Sequence, residues 1–301
     1  MINVGIVGFG RYGKKYYNHL LKNQNFKIIK ILRNQKKKNP KFTNNKEKFF
    51  SLKNIDLYII ASSTFTHFEY LNKILNKNKH IIVEKPLVKN LYQHHKIEKK
   101  IKKLKKIILI NHTDLYMDAY SKLKKKIKDI GKIKSVDLVY GKSDPYKLKE
   151  IKKTTDLPYF EWFPHPLAII KDLFIKNNFK FELKEKKTIK NSFLKQDLKV
   201  YFYKNNLSIK LTFSNNYKNP KRNLTIYGTK GSLIYKGYQK KKLFLVKKNN
   251  RIYLPTNDVD PIKNLLYNFE IKFKQKNPKD DRNLMLATSK KLFQISDKIK
   301  L

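Results

Sequence analysis

The chain of 301 residues contains no cysteine, which excludes disulfides, thiolate metal sites and a cysteine nucleophile. No apolar run approaches the roughly 18 residues that a membrane span requires, and the N-terminus has no signal-peptide pattern. No spacing of histidine, aspartate and glutamate indicates a metal site. These absences predict a cytoplasmic, soluble protein without a membrane partner.

Acidic residues and arginine are also scarce. Lysine and arginine total 70 against 23 aspartates and glutamates, a formal net charge of +47, and only five of the basic residues are arginines. Proteins that read nucleic acids rely on the planar, bidentate guanidinium of arginine, and the lysines here are spread along the whole chain. We therefore expect no specific nucleic-acid partner, although the positive field favours anionic ligands such as nucleotides.

The distribution of apolar segments predicts two domains. Up to residue 110, short strands alternate with helices, with strands at 2–7, 26–32, 55–61, 80–83 and 107–110 and helices near 12–22, 71–79 and 91–106. This alternation is typical of a doubly wound parallel sheet. After a helix near 118–129, several segments alternate apolar and polar residues, which indicates antiparallel strands with one wet face, and helices near 261–275 and 281–299 follow. The predicted fold is an α/β Rossmann domain over 1–115 and an α+β domain with a large, mostly antiparallel open sheet over 116–301.

Three glycines stand between the first strand and the first helix, in the segment Gly8-Phe9-Gly10-Arg11-Tyr12-Gly13. In a dinucleotide-binding loop the first glycine permits the tight turn, the second lets the pyrophosphate approach the backbone, and the third lets the helix pack on the strand. The anion then lies on the helix N-terminus. The alternative is a turn that needs glycine only for its dihedral angles.

The end of the second strand bears on which dinucleotide is bound. NAD-binding domains place an acidic residue there to hold the ribose hydroxyls, but here Leu32 is followed by Arg33 and Asn34, and the first carboxylate of the chain is Glu47. Arg33 could stack on adenine and pair with a 2′-phosphate, which predicts NADP as the preferred cofactor. NAD remains possible, because Asn34 could hydrogen-bond a ribose hydroxyl. Arg33 and residues 36–38 could also form a solvated basic turn.

Further segments follow the predicted strands or lie in the second domain: ASSTFTH at 61–67, EKP at 84–86, Asn111-His112, EWFPH at 161–165 and LTIYGTKG at 224–231. Together with the glycine loop, in this order, they resemble the glucose-fructose oxidoreductase, inositol dehydrogenase and rhizopine-catabolism (Gfo/Idh/MocA) family. The resemblance runs over nearly the whole chain. EKP after a strand is fairly specific, and the combination is more specific than any single motif.

The resemblance implies an NAD(P)-dependent oxidoreductase that transfers hydride between a nicotinamide and a secondary alcohol or carbonyl of a carbohydrate or sugar nucleotide, as in surface-polysaccharide biosynthesis. It places Ser62, Ser63, Thr64 and His67 along the ribose and nicotinamide, with Glu84 and Lys85 beside the nicotinamide. It also implies a cis peptide before the EKP proline and a homo-oligomer formed through the C-terminal sheet.

Hydride transfer from an alcohol requires a group that removes the hydroxyl proton, and the resemblance assigns this role to Lys85 and His165. A lysine beside a cationic nicotinamide has its charged form disfavoured, which suits it to acid–base work near neutral pH. In the family, an aspartate stands four residues before the histidine and a glycine stands two residues before it. Here Glu161 and Phe163 stand at those positions; Glu161 would orient His165 or bind a substrate hydroxyl, and Phe163 would fill space near the substrate.

Other interpretations stay open. The departures at 161 and 163 are compatible with a catalytically impaired NAD(P)-binding sensor. The same scaffold could reduce a non-sugar substrate such as a linear tetrapyrrole or an imine. A nucleic-acid-binding protein is the third alternative, and His112 could have a structural role or contact substrate.

Overall fold

The computed structural model describes residues 1–34, 39–144, 146–174, 179–248, 250–276 and 278–300. The chain forms two compact units: unit 1 comprises Met1–Thr113 and Asp260–Lys290, and unit 2 comprises Asp114–Val259 and Lys291–Leu301. This division differs from the predicted contiguous domains 1–115 and 116–301, because residues 260–290 return to unit 1.

Unit 1 contains a six-stranded sheet whose paired strands all run parallel. Its strands are β1 (Ile2–Val7), β2 (Phe26–Leu32), β3 (Phe42–Thr43), β4 (Leu57–Ile60), β5 (His80–Val83) and β6 (Ile108–Ile110). They lie in the order β3-β2-β1-β4-β5-β6. The central strands are almost wholly buried apolar runs, as expected for a sheet covered on both faces. The predicted parallel Rossmann sheet is therefore confirmed.

The helices that follow these strands are α1 (Arg11–Leu21), α2 (Lys46–Ser51), α3 (Thr64–Asn76) and α4 (Leu91–Lys103). The predicted start of α3 near residue 71 is wrong, since Ser63 in extended conformation already stands at its N-cap. His67, Leu71 and Ile74 supply buried side chains at helical spacing, which makes the threonine-rich first turn part of the same amphipathic helix. Neither β3 nor α2 was predicted.

Unit 2 contains a nine-stranded sheet with the order β15-β14-β13-β12-β7-β11-β10-β8, and β9 also pairs with β10. The strands are β7 (Ile133–Gly141), β8 (Tyr146–Lys147), β9 (Lys180–Lys190), β10 (Phe193–Lys204), β11 (Leu207–Ser214), β12 (Lys221–Gly228), β13 (Ser232–Lys236), β14 (Leu243–Lys247) and β15 (Asn250–Leu254). Only β7 and β11 pair in parallel within this sheet as described. The predicted large, mostly antiparallel sheet is confirmed.

Two helices pack against the unit 2 sheet. Helix α5 (Asp118–Lys126) contacts β13, and α6 (Pro158–Trp162) contacts β10 and β11. Helix α7 (Pro164–Leu173) follows α6 directly. Alternate residues along β10, such as Leu198, Val200 and Phe202, are buried, whereas the residues between them are more exposed. This alternation is the period-two pattern of a sheet with one core face.

The last helices are α8 (Pro261–Phe273) and α9 (Arg282–Ser296). Asn25, which precedes β2, donates a hydrogen bond to Glu270 of α8 at 2.6 Å, and the rings of Phe26 and Phe269 lie 6.4 Å apart. The Arg282 guanidinium donates to the carbonyl of Leu104 at 2.8 Å. These contacts explain why residues 260–290 join unit 1 instead of continuing unit 2.

Candidate functional site

The loops at the carboxyl ends of β1 and β4 define the candidate cofactor site of unit 1. These strands are neighbours at the point where the strand order reverses, and α1 and α3 begin within four residues of the strand ends. In open α/β sheets, ligands bind in the crevice beside such a switch point. The site therefore has two helix N-termini at one sheet edge.

The three glycines of the first loop have different surroundings. Gly8 has φ +92°, and a Cβ atom there would lie 2.6 Å from the backbone of Ser62. A Cβ on Gly13 would lie 2.3 Å from the carbonyl oxygen of Gly8. A Cβ on Gly10, in contrast, would have no neighbour within 4 Å among the residues that the structure describes. Gly8 and Gly13 are thus required by the fold itself, whereas Gly10 keeps an open space above the loop.

The first turn of α1 is suited to an anion. Gly10 is its N-cap and supplies no side-chain hydrogen bond, and the first turn holds no acidic residue. The first amide groups of a helix lack intrahelical acceptors and carry a partial positive charge. Exposed Arg11 follows, with Tyr12 beneath its guanidinium at 5.7 Å from the ring centroid.

Arg33 lies beside an aromatic pair at the end of β2. Its guanidinium carbon lies 5.9 Å from the centroid of the Phe42 ring, and Phe42 meets the ring of Phe9 edge to face at 4.8 Å. Phe42 of β3 thus contacts both Arg33 and Phe9 of the glycine loop. Asn34 is exposed, and residues 36–38 of the predicted basic turn lie outside the described residues.

The predicted residues of the second loop fall at the start of α3. Ser63 is exposed at the N-cap, and Ser62 and Thr64 are partly exposed. His67 is fully buried, with Nδ1 at 2.8 Å from the carbonyl oxygen of Pro86 and Nε2 at 3.1 Å from that of Ser62. The imidazole is therefore engaged by backbone carbonyls, and it connects the start of α3 to the EKP turn.

The EKP turn follows β5 and contains the expected cis peptide, between Lys85 and Pro86. Glu84 is only 6% exposed. Its Oε1 accepts hydrogen bonds from the Tyr16 hydroxyl at 3.0 Å and from the Asn111 amide at 2.7 Å. Burial raises the pKa of Glu84 to about 7, although these hydrogen bonds and the charge of Lys85 oppose the shift. Glu84 thus holds the turn to α1 and to the end of β6.

His112 lies close enough to Lys85 to sense its charge. It is 1% exposed, and neither ring nitrogen has a hydrogen-bond partner among the described residues. Burial, assisted by the positive charge of Lys85, lowers the pKa of His112 to about 3. The histidine is therefore neutral near pH 7.

The EWFPH segment of unit 2 spans the end of α6 and the start of α7. Glu161 is partly exposed, and His165 is buried in the first turn of α7. Phe163 is also buried, with its ring 5.3 Å from that of Tyr159 and 5.9 Å from that of Phe213. Phe163 therefore contributes to the core of unit 2.

The sequence did not single out two charged residues near His165. Oδ2 of Asp114 lies 3.7 Å from Nδ1 of His165, and Oδ1 lies 3.6 Å from a terminal nitrogen of Arg222. Arg222 is one of the five arginines among 70 basic residues. Because arginine is rare in this lysine-rich chain, the arginine at position 222 was the sequence feature that could have pointed to this cluster.

The described ranges contain neither a cluster of three or more potential metal-ligating side chains nor a helix with the length and apolarity that a membrane crossing requires.

The residues present in unit 1 fit a nicotinamide dinucleotide. Gly10 leaves unfilled space where a pyrophosphate must approach the backbone. Arg33 stands at the strand end where the adenosine ribose lies in such folds, and the chain has no carboxylate before Glu47.

Similarity to known proteins agrees with this geometry. Residues 2–112 match the family model GFO_IDH_MocA, described as an oxidoreductase family with an NAD-binding Rossmann fold. No curated protein matches the chain.

Solved structures with similar folds cover nearly the whole chain. A dehydrogenase from Clostridium difficile has a TM-score of 0.83 at 16% identity, covering 99% of both chains. UDP-N-acetylglucosamine 3-dehydrogenase from Acidithiobacillus ferrooxidans has a TM-score of 0.79 at 12% identity, and the match covers 99% of this chain and 97% of that one. Biliverdin reductase from Synechocystis sp. PCC 6803, solved with biliverdin and NADP+, has a TM-score of 0.78 at 14% identity, and the match covers 98% of both chains. At these identities the likeness establishes the fold, and the family whose model matches residues 2–112, which include all six strands of the parallel sheet, is the one that the motifs predicted.

Proposed function

We propose that the protein is an NAD(P)-dependent oxidoreductase that transfers hydride between a nicotinamide and a secondary alcohol or carbonyl of a carbohydrate or sugar nucleotide. The observation that carries this proposal is the open space at Gly10, at the N-terminus of α1, within a loop whose other two glycines are fixed by packing. A turn selected only for its dihedral angles has no need of glycine there, because Gly10 has φ −78°.

NADP is the proposed cofactor, with NAD as the alternative. Arg33 supplies a guanidinium at the end of β2, and the sequence before Glu47 has no carboxylate that could hold ribose hydroxyls or repel a phosphate there. Contact with the Phe42 ring limits where the guanidinium can lie. The proposed cofactor-binding set consists of the glycine loop, Arg33, Asn34, Ser62, Ser63, Thr64, His67, Glu84 and Lys85. Of these, His67 acts indirectly, through the backbone carbonyls of Ser62 and Pro86 that it contacts.

Bound nicotinamide supplies or accepts the hydride, and the chain must handle the matching proton. In the reductive direction, Lys85 donates a proton to the oxygen of the carbonyl that receives hydride; in oxidation it removes that proton from the hydroxyl. Glu84, held by Tyr16 and Asn111, fixes the turn that carries Lys85. His165 of unit 2 is the second proposed proton carrier, and Glu161 binds a substrate hydroxyl or orients that histidine.

A carbohydrate substrate is favoured by the Gfo/Idh/MocA motifs and by the UDP-N-acetylglucosamine dehydrogenase among the similar folds. A non-sugar substrate is the second candidate, because biliverdin reductase has a similar fold over the same length. An NAD(P)-binding sensor without turnover is the third. These three functions share the cofactor site, and turnover measured on a panel of substrates distinguishes them.

The experiment follows nicotinamide fluorescence as NADPH or NADH is added, then measures turnover on sugars, sugar nucleotides and biliverdin. Lys85→Met removes the proposed proton donor, and Lys89→Met, at another partly exposed lysine four residues later, is the matched control. The proposal predicts at least about a hundredfold loss of turnover in Lys85→Met, a much smaller loss of NADPH affinity, and little change of either in Lys89→Met. Binding without turnover on any substrate would favour the sensor, and absence of binding would contradict the proposal.

The unit 2 sheet is the proposed contact between copies in a homo-oligomer. On β7 and β12, the positions opposite the buried row include the uncharged Val139, Thr225 and Tyr227, with Asp137 and Lys221 as the charged residues among them. Light scattering should give a mass above that of one 36.0 kDa chain. Thr225→Glu should reduce it to the monomer mass, and a monomeric wild type would contradict this part of the proposal.

A further inference from the structure

A buried carboxylate in unit 2 faces both a histidine and an arginine. Asp114, only 1% exposed, belongs to a short 3-10 helix over Thr113–Tyr116. Its two oxygens lie 3.7 Å from Nδ1 of His165 and 3.6 Å from a terminal nitrogen of Arg222. The three side chains come from separate segments: the 3-10 helix, α7 and β12. The carboxylate is thus placed by the tertiary fold between two nitrogen-bearing groups.

The guanidinium of Arg222 is the charge that most favours the ionised form of Asp114. Burial raises the pKa of the Asp114 carboxyl above its ordinary value, and Arg222 and the hydroxyl of Tyr140 partly oppose that shift. Asp114 in turn raises the pKa values of the phenols of Tyr120, Tyr140 and Tyr235, after the larger effect of burial. Arg222, with the Tyr140 hydroxyl, therefore supports the carboxylate form of Asp114 against the cost of burial.

An anionic carboxylate beside Nδ1 of an imidazole selects one tautomer. It favours the form that carries its proton on Nδ1, because that N–H can donate to the carboxylate. Nε2 is then the nitrogen that exchanges a proton with a reacting group. The 3.7 Å separation is longer than a hydrogen bond, and such contacts commonly shorten when the substrate complex forms.

We infer that Asp114, held by Arg222, is the positioning residue that sets the tautomer and orientation of His165. The inference deepens the proposed function, because it rests on the proton-handling role proposed for His165. It assigns the orienting role to a carboxylate outside the EWFPH motif, and it leaves Glu161 to bind a substrate hydroxyl.

The test is the tautomer of His165, observed by NMR in the full-length protein labelled with 15N-histidine. His165→Gln identifies the relevant signals among those of the seven histidines. Wild type should show the proton on Nδ1 near neutral pH, and Asp114→Asn should lower the ratio of the Nδ1–H to the Nε2–H form by about tenfold, as expected for loss of a charge-assisted hydrogen bond. Asp114→Glu should retain most of the preference.

Two variants serve as controls. Asp172→Asn removes a carboxylate of unit 2 that pairs with Tyr120 and Lys124, so it matches the change in net charge and should leave the tautomer unchanged. Glu161→Gln should leave it unchanged as well.

Asp114→Asn also leaves Arg222 without its counter-charge, which endangers folding. The double variant Asp114→Asn/Arg222→Gln keeps the cluster neutral and should show the same loss.

An Nδ1–H preference that persists in either folded Asp114→Asn variant would overturn the inference, and so would a change caused by Glu161→Gln instead. The spectra use neither nucleotide nor substrate, so they remain decisive even when the proposed oxidoreductase activity fails its own test. NADPH affinity of Asp114→Asn should stay within about twofold of wild type, since the proposed nucleotide contacts lie in unit 1.

Discussion

Gly8 lies directly against Ser62, because a Cβ atom on Gly8 would come within 2.6 Å of both the Cα and the N atom of Ser62. The turns after β1 and β4 are therefore in backbone contact. The close contact packs the two turns together at the edge of the sheet, and Gly10 of the first turn has open space beside it among the described residues. The proposed cofactor site is built on this packing.

Gly13→Ala should destabilise the fold. Its new methyl group would lie 2.3 Å from the carbonyl oxygen of Gly8, so α1 must shift away from the loop. We expect a loss of about 2 kcal/mol or more in the free energy of unfolding, measured by urea denaturation. A loss below about 0.5 kcal/mol, the usual size of a neutral surface change, would show that the loop and helix are not packed as described.

Arg33→Ala should weaken NADPH binding more than NADH binding. A guanidinium paired with a 2′-phosphate contributes about 2 kcal/mol, roughly a thirtyfold change in the dissociation constant. NADH lacks that phosphate, so its affinity should change by less than about threefold. Arg251→Ala is the matched control, because Arg251 also lies over a phenylalanine ring but belongs to unit 2. Equal losses for NADPH and NADH would contradict the assignment of Arg33 to the phosphate.

Glu84 should make stability fall as pH rises. Burial raises its pKa to about 7 from 4.5, so between these values the folded protein keeps a proton that the unfolded chain has released. Wild type should lose up to about 3 kcal/mol more than Glu84→Gln between pH 4.5 and pH 8. Urea denaturation at both pH values measures this difference. Parallel pH dependence of the two proteins would show that Glu84 is not buried as a neutral acid.

His112 should act in the opposite direction, at lower pH. Its folded pKa of about 3 lies below the ordinary 6.5, so the unfolded chain binds a proton first and stability falls as pH drops below 6.5. Between pH 7 and pH 4.5, His112→Asn should lose up to about 2.5 kcal/mol less stability than wild type. Greater acid sensitivity in the variant would contradict a buried, neutral imidazole.

Local sequence signals were sufficient for much of unit 1. Apolar runs placed the strands, and the spacing of Gly8, Gly10 and Gly13 predicted a loop whose first and third glycines are indeed fixed by close packing. The start of α3 was missed, because the sequence alone does not show which residues of the 62–67 segment have buried partners. Packing against the sheet decided the conformation of that segment.

Contacts between distant residues could not be predicted. Glu84 is held by Tyr16 and Asn111, which lie 68 and 27 residues away along the chain. The ion pair of Asp114 with Arg222 likewise joins separate segments of unit 2. No periodicity or motif encodes such pairs, since they arise only when the topology brings strand ends together. The return of residues 260–290 to unit 1 has the same origin.

The most direct test of the proposed cofactor site is the affinity of NADPH for wild type and for Gly10→Ala, measured by isothermal titration calorimetry. In the described part of the chain, a methyl group on Gly10 meets no atom within 4 Å, so the free energy of unfolding should change by less than about 1 kcal/mol. The same methyl group should occupy the space of the pyrophosphate and weaken NADPH binding by at least about thirtyfold. Unchanged, tight binding in Gly10→Ala, or no binding by wild type, would contradict a dinucleotide held at this loop.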